Sequence, residues 1–328
     1  MGEVFAARLR GESGFERLFA IKRVKPQWAD DDRFVKRFFD EARTAASIHS
    51  AFVVPVLDVG RDDDGVPFMV QGLVVGVTLD QLMQADPPTV PMALALVLDA
   101  ACGLRDAHGT LDPLGRPLQI AHRDVSARNI LVGVDGRARL TDFGLAKAAR
   151  RQAVTAPGEV LGSYAYFSPE HLSGTADAQS DVFSLGIVAW ETFAGRRLFP
   201  QHKAAPLMRA ITTEPIPDLR EVAPDVPADL ASAIMRALER DRERRWRRAA
   251  DLVHALQQCS TDPAAPEQIM FGVKELAAPF IARLRSLADD TLVEFPAASL
   301  TRHLVAGVGF DDDDPTETDT LLPDPEPD

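Results

Sequence analysis

Cysteine is scarce. The 328 residues hold two, Cys102 and Cys259, far apart and without a C-x-x-C or Cys/His cluster around either, which excludes a disulfide framework or a zinc site as the basis of the fold. Long apolar runs are lacking too: the most apolar stretch, PMALALVLDAACGL from Pro91, is interrupted by Asp99 and falls short of the roughly 20 residues a membrane span requires. A buried helix is expected there, with no membrane span. The N-terminus has no basic region followed by an apolar core, so no secretion signal is expected, and a reducing cytoplasmic setting is. Positive charge is short as well. A formal net charge of −13 argues against nucleic acid as a partner. Much of that excess lies in residues 311–328, DDDDPTETDTLLPDPEPD, with nine acidic residues and no basic one.

The first 75 residues read as strands around one helix. EVFAARL and FAIKRV are strand-like runs separated by the turn-rich RGESGFER, and VVPVLDVG and PFMVQGLV flank RDDDG in a hairpin-like pattern. Between these pairs, Phe34, Phe38, Glu41 and Ala45 recur at helical spacing, which puts Glu41 on an apolar face where a carboxylate needs a partner. From about Gly76 the pattern is mainly helical, with helices expected over 78–83, 91–108, 180–193 and 227–238 and another from near Ala249. The fold class is therefore α+β: a small strand-rich lobe over 1–75, a helical lobe over 76–260 and a helical extension over 261–310. An acidic tail over 311–328 is expected to be disordered.

Several short motifs fall in one chain order. AIK ends at Lys22, and Glu41 lies on the following helix. AHRDVSARN carries His122, Arg123, Asp124 and Asn129; LTDFGLAK carries Asp142; GSYAYFSPE ends at Pro169 and Glu170; and SDVFSLG carries Asp181 and Gly186. Each alone has an ordinary explanation, such as a solvated lysine or a turn aspartate. Their joint order and separations match the protein-kinase signature set. Over roughly residues 1–256 the chain resembles the eukaryotic-like Ser/Thr protein kinases of bacteria.

The resemblance implies a bilobal kinase fold, ATP and Mg²⁺ as cofactors, and protein substrates. Lys22 would hold the α- and β-phosphates and Glu41 would orient it; Asn129 and Asp142 would bind Mg²⁺; Asp124 would take the acceptor hydroxyl's proton. Gly2, Val4, Ala20 and Leu131 match positions around the nucleotide, and Gln71, Gly72, Leu73 and Val74 match the hinge. Arg245 in DRERRW would pair with Glu170, and DPLGRPLQ resembles a hairpin of some bacterial members. Arg123 resembles the arginine of kinases controlled by activation-segment phosphorylation, with Thr155 as the phosphosite, and Ser163 matches a hydroxyl near the catalytic Asp. His49, His171 and His254 have no partner legible in the sequence.

Two departures stand out. Ser126 occupies the place where Ser/Thr kinases usually carry a phosphate-binding lysine, and Arg128 resembles the tyrosine-kinase arrangement that supplies this charge from another position. The GSYAYFSPE segment favours Ser/Thr specificity. MGEVFAARL resembles only the end of a G-x-G-x-x-G-x-V loop, so either the given start is late or the nucleotide roof is clipped, leaving a sheet edge open. A pseudokinase acting as a binding module is the alternative function, and a small-molecule phosphotransferase of similar fold is a third. A regulatory partner is expected to act through the C-terminal extension.

Overall fold

The computed structural model describes residues 2–10, 16–143, 164–286 and 293–294. Strands β1 (Gly2–Arg10) and β2 (Glu16–Val24) form an antiparallel hairpin; β2 pairs with β4 (Pro67–Gly72), and β4 with β3 (Val56–Arg61). Side chains alternate faces along a strand, and cross-strand partners share a face. The register places Val4 opposite Lys22, Ala6 opposite Ala20, and Ala20 opposite Gln71. Val4, Ala20, Lys22 and Gln71 thus share one face. The other carries Ala7, Phe19, Ile21, Phe68 and Val70, a small apolar cluster separate from the main core.

Helix α1 (Pro26–Ala29) leads into α2 (Asp32–Ala46), whose first turn is capped by the Asp31 carboxylate accepting from the amides of Arg33 at 3.0 Å and Phe34 at 3.1 Å. Val35, Phe38, Ala42 and Ala45 bury one stripe of α2 against the core. After the 73–75 connection come β5 (Gly76–Thr78), α3 (Leu79–Ala85) and α4 (Val90–His108). A 3-10 turn (Ala127–Asn129) precedes β6 (Ile130–Gly133) and β7 (Ala138–Leu140), which with β5 make a second, three-stranded antiparallel sheet.

The larger lobe continues with α5 (Pro169–Leu172), α6 (Ala178–Ala194), α7 (Ala204–Thr212), α8 (Leu219–Val222), α9 (Ala228–Ala237), α10 (Ala249–Gln257) and α11 (Pro266–Ser286). Helices α4 and α6 are apolar on all sides and pack together at the centre, as a core helix must. The run from Pro91 is therefore a buried helix, and among the described residues no helix is long and apolar enough to cross a membrane. The expected 112–119 hairpin is present as a turn closed by a Leu111–Pro117 bridge.

The extension from Pro266 forms one long helix. Ile269, Val273 and Ala277, at spacings of four, are buried where α11 packs on β5, β6 and α3. Gly136 lets the helix start close: its φ is +73°, and a Cβ there would lie 2.1 Å from the Pro266 carbonyl oxygen. The open edge expected beside β1 is partly covered instead. Strand β8 (Val293–Glu294) runs parallel to β1, pairing Ala7 with Val293 and Arg8 with Glu294. The acidic tail lies outside the described residues.

Candidate active site

The site is built on the 121–129 loop, which hangs from a carboxylate on α6. Asp181, fully buried, accepts from the amide of His122 at 2.7 Å through Oδ2 and from that of Arg123 at 2.7 Å through Oδ1. His108 Nε2, from the end of α4, donates to Oδ2 at 2.9 Å. Burial opposes ionisation of Asp181, but the hydrogen bond and charge of His108 and the donated Arg123 amide outweigh it and hold the carboxyl below the usual range. Two non-glycine residues here have left-handed backbones, Arg123 at φ 61° and Asp142 at φ 63°. Such strain persists only where surrounding structure enforces it. Asp181 supplies that enforcement at Arg123.

His122 joins the loop to the strand that ends at Asp142. Its Nε2 donates to the Thr141 carbonyl at 3.0 Å, and its Nδ1 accepts from the Asp124 amide at 3.3 Å. Its ring lies 4.4 Å from that of Phe143, which is buried in the core. Asn129 Nδ2 donates to the Asp124 carbonyl at 2.8 Å, and the Asn129 carbonyl accepts from the Thr141 amide at 3.0 Å. Asp124, Asn129 and Asp142 are thereby fixed on two adjoining segments. From the other lobe, Lys22 Nζ reaches Asp142 Oδ1 at 2.5 Å. This charge-assisted contact brings the β2 lysine to the end of β7.

Glu41 belongs to α2, but its side chain lies outside the described part, so the partner seen for Lys22 is Asp142. Gly2 is placed by its backbone alone, opposite Val24. Thr155 and Ser163 lie outside the described residues. Ser126 is buried, whereas Arg128 is exposed and makes no ion pair or side-chain hydrogen bond among the described residues. Arg123 Nε is buried without a hydrogen-bond partner among the described residues. Leu131 is partly buried on β6. A pocket of about 330 Å³ is lined by Gly72, Leu73 and Val74 together with Pro55, Gly133 and Val134. None of Val4, Ala20, Lys22 or Asp142 lines it, so it is distinct from the face that carries the lysine.

The donor set fits a nucleotide-bound Mg²⁺. Asp142 and Asn129 offer hard oxygen atoms, and the amide nitrogen of Asn129 is already committed to Asp124. No group of three or more His, Cys, Asp or Glu side chains able to cage a metal occurs among the described residues. Mg²⁺ commonly takes one or two side chains and completes its shell with phosphate and water.

Behind the site, Glu170 meets Arg245 at 2.8 Å, as the sequence predicts, and Arg242 at 3.7 Å. Burial pushes the Glu170 carboxyl up, but Ser168 and the Arg245 charge overcome this and hold it below its usual range. Sequence reasoning missed three features. His108 is a third partner of Asp181. His171 has partners after all, its Nδ1 lying 2.8 Å from Ser168 Oγ and its ring 4.7 Å from Phe167. Buried Glu191 gathers the Tyr166 hydroxyl at 2.8 Å, the Leu198 amide at 3.0 Å and Arg197 at 3.0 Å, and Arg197 also meets Asp80 at 2.6 Å. Its signal in the sequence was an acid within the apolar second half of α6, which needs a partner.

Comparison with known proteins gives the family. A family model described as a protein kinase domain matches residues 1–258. The chain is 32% identical to serine/threonine-protein kinase PrkC of Bacillus subtilis over 72% of its length and 36% of that protein's. It is 31% identical to PknB of Mycolicibacterium smegmatis over 93% of its length and 50% of that protein's. Identity to the tyrosine-protein kinase MasK of Myxococcus xanthus is 31%, over 78% of this chain and 41% of that protein. The chain thus spans half or less of the length of these relatives. Among solved structures, the PknI kinase domain of Mycobacterium tuberculosis superposes with a TM-score of 0.57 at 26% identity, covering 79% of this chain and 90% of that one. Matched over residues 1–258 and folded as a strand-rich lobe on a helical one, the chain belongs to the protein kinase domain family.

Proposed function

We propose that this protein is an ATP-dependent serine/threonine kinase of bacterial signalling, cytoplasmic, acting on protein substrates. The observation that carries the reading is the 2.5 Å contact of Lys22 with Asp142, beside a loop that holds Asp124 and Asn129. Phosphoryl transfer asks the protein mainly to position the reactants and neutralise spread charge. In this reading Lys22, oriented by Glu41, takes the α- and β-phosphates, while Asp142 and Asn129 hold Mg²⁺. Asp124 orients the acceptor hydroxyl and receives its proton. Val4, Ala20 and Leu131 flank the adenine, Gly2 lies near the phosphates, and residues 71–74 offer main-chain hydrogen bonds.

Arg128, exposed and unpaired among the described residues, is free to reach the γ-phosphate in place of a lysine at buried Ser126. The same feature favours a second reading, tyrosine specificity, as does the name of one relative, the tyrosine-protein kinase MasK. Arg123, with its buried unsatisfied Nε, calls for an anion, which a phosphate on Thr155 would supply. The C-terminal extension is the surface where a regulatory partner would act.

The test is incubation of the protein with labelled ATP and Mg²⁺, followed by phosphoamino-acid analysis and phosphopeptide mapping. Phosphoserine and phosphothreonine are expected, Thr155 among them, with label abolished in Asp124→Asn and Asp142→Ala proteins. Phosphotyrosine alone would support the second reading. Absence of label with every acceptor would replace both with a binding module.

A further inference from the structure

We propose that a basic ledge beside Asp124 selects acidic acceptor segments, and that Thr316, Thr318 and Thr320 of this chain are such acceptors. The inference rests on the kinase reading above and adds a substrate class and a modification site to it.

The ledge begins where α6 stops. Gly195 ends the helix at φ +64°, its amide donating to the Glu191 carbonyl at 2.9 Å. From there to Arg209 the chain carries Arg196, Arg197, His202, Lys203 and Arg209 and no acidic residue, within a protein of net charge −13. Arg197 is committed inward to Glu191, Asp80 and the Tyr166 hydroxyl. Arg209 pairs with Glu214 at 2.9 Å. Arg196, His202 and Lys203 are exposed and form no ion pair among the described residues; Arg196 lies 5.5 Å from the Trp190 ring centroid.

Packing sets this loop next to the site. Helix α3 carries Asp80, which grips Arg197, and α3 also packs on the 127–129 turn that bears Arg128. Helix α7, directly after Lys203, packs on α5. Of the acids nearby, Glu170 is answered by Arg245 and Asp177 by Arg242 at 2.5 Å, and Asp86 at the end of α3 is exposed. Arg128, Arg196 and Lys203 form no ion pair among the described residues and leave positive charge in excess around the loop that holds Asp124.

The complementary segment is in the same sequence. Residues 311–328 have nine acids and no base, and Thr316, Thr318 and Thr320 each adjoin Glu317 or Asp319. From Glu294 to Thr316 there are 22 residues, enough for a reach of up to roughly 70 Å, so the acceptors can be presented by the same molecule or a neighbouring one. In the transfer, the threonine Oγ forms a bond to the γ-phosphorus of ATP. The bond from that phosphorus to the β,γ-bridging oxygen breaks, its electron pair leaves with ADP, and the hydroxyl proton passes to Asp124. Interactions between exposed charges are screened within about 8 Å at physiological salt, so the preference is expected to be about tenfold and to weaken as salt rises.

The experiment uses the full chain and an Arg196→Glu/Lys203→Glu variant, neither position belonging to the catalytic set. Sites are mapped by mass spectrometry after incubation with Mg²⁺ and ATP. Transfer is also measured to a peptide of residues 311–322 and to the same peptide with its acids replaced by lysine. Binding of both peptides is read without nucleotide by fluorescence anisotropy. Expected are phosphate on at least one of the three threonines, about tenfold faster transfer to the acidic peptide, and loss of that preference in the variant with the lysine peptide unaffected. If the variant melts early, Lys203→Glu alone, at an exposed position, replaces it. Label elsewhere in the chain with residues 316–320 untouched, or equal use of both peptides, overturns the inference and leaves the kinase reading standing. No transfer to any acceptor overturns that reading and the acceptor assignment with it; the ledge is then upheld by tighter nucleotide-free binding of the acidic peptide to wild type than to the variant, and overturned by equal binding.

Discussion

Arg245 has a fully buried side chain, and each of its guanidinium nitrogens has a task. Nε donates to the Glu239 carbonyl at 2.7 Å, the terminal nitrogens donate to Gln179 and Arg240 carbonyls, and Glu170 supplies the counter-charge at 2.8 Å. Removing it leaves three carbonyls unanswered and a buried carboxylate without its near counter-charge. Arg245→Met is therefore expected to cost about 3–5 kcal/mol, the range for breaking a buried pair from one side. Arg242, half-exposed and 3.7 Å from Glu170, should cost under about 1 kcal/mol with respect to that pair. Urea unfolding of both variants and of the Glu170→Gln/Arg245→Met double variant measures this. If Arg245→Met were as stable as wild type, the pair would have no structural weight. The Glu170 pairing was legible because both residues sit in recognisable motifs. The Lys22 contact with Asp142 was not, because motif order names side chains without saying which of several opposite charges lie within reach.

At the scale of one element, the 121–129 loop shows what spacing can and cannot reveal. Its order of His, Asp and Asn was readable. The left-handed backbone at Arg123 and the role of His108 were not, since both depend on α4 and α6 meeting around Asp181. Asp181→Asn tests that anchor. An amide in place of the carboxylate turns one acceptor into a donor facing other donors, a cost of about 1–3 kcal/mol. Loop geometry, and with it the proposed phosphoryl transfer, should suffer more than global folding. The pH dependence has a definite sign. The folded carboxyl is held below its usual range by His108 and the Arg123 amide despite burial, so its contribution is complete above the unfolded value of about 3.9 and is lost as pH falls through the lower folded value. The stability gap between wild type and Asp181→Asn should therefore narrow on acidification below about pH 4. A gap constant down to pH 2 would assign the stabilisation to packing instead of charge.

Across the whole molecule, the C-terminal extension touches both lobes. Helix α11 buries Ile269, Val273 and Ala277 against β5, β6 and α3, just past the connection between the lobes, and β8 adds a short partner to β1. The amphipathic helix was legible from its apolar spacing. The strand partner was not, because two residue pairs carry no periodic signal, and the sequence pointed to an open edge. The two contacts differ greatly in strength. Val273 is fully buried, so Val273→Asp would bury an unpaired charge, among the costliest of single changes, and should lower the melting temperature by several degrees. The β8 pairing spans only two residue pairs and serves mainly to occupy an edge that otherwise invites association. Deleting residues 287–328 should then leave the melting temperature nearly unchanged while hydrogen exchange speeds up at whichever of the Ala7 and Arg8 amides faces β8, with no comparable change in β4. A deletion that leaves β1 exchange as slow as before would show that the edge is held by β2 alone and that the extension stabilises only the larger lobe.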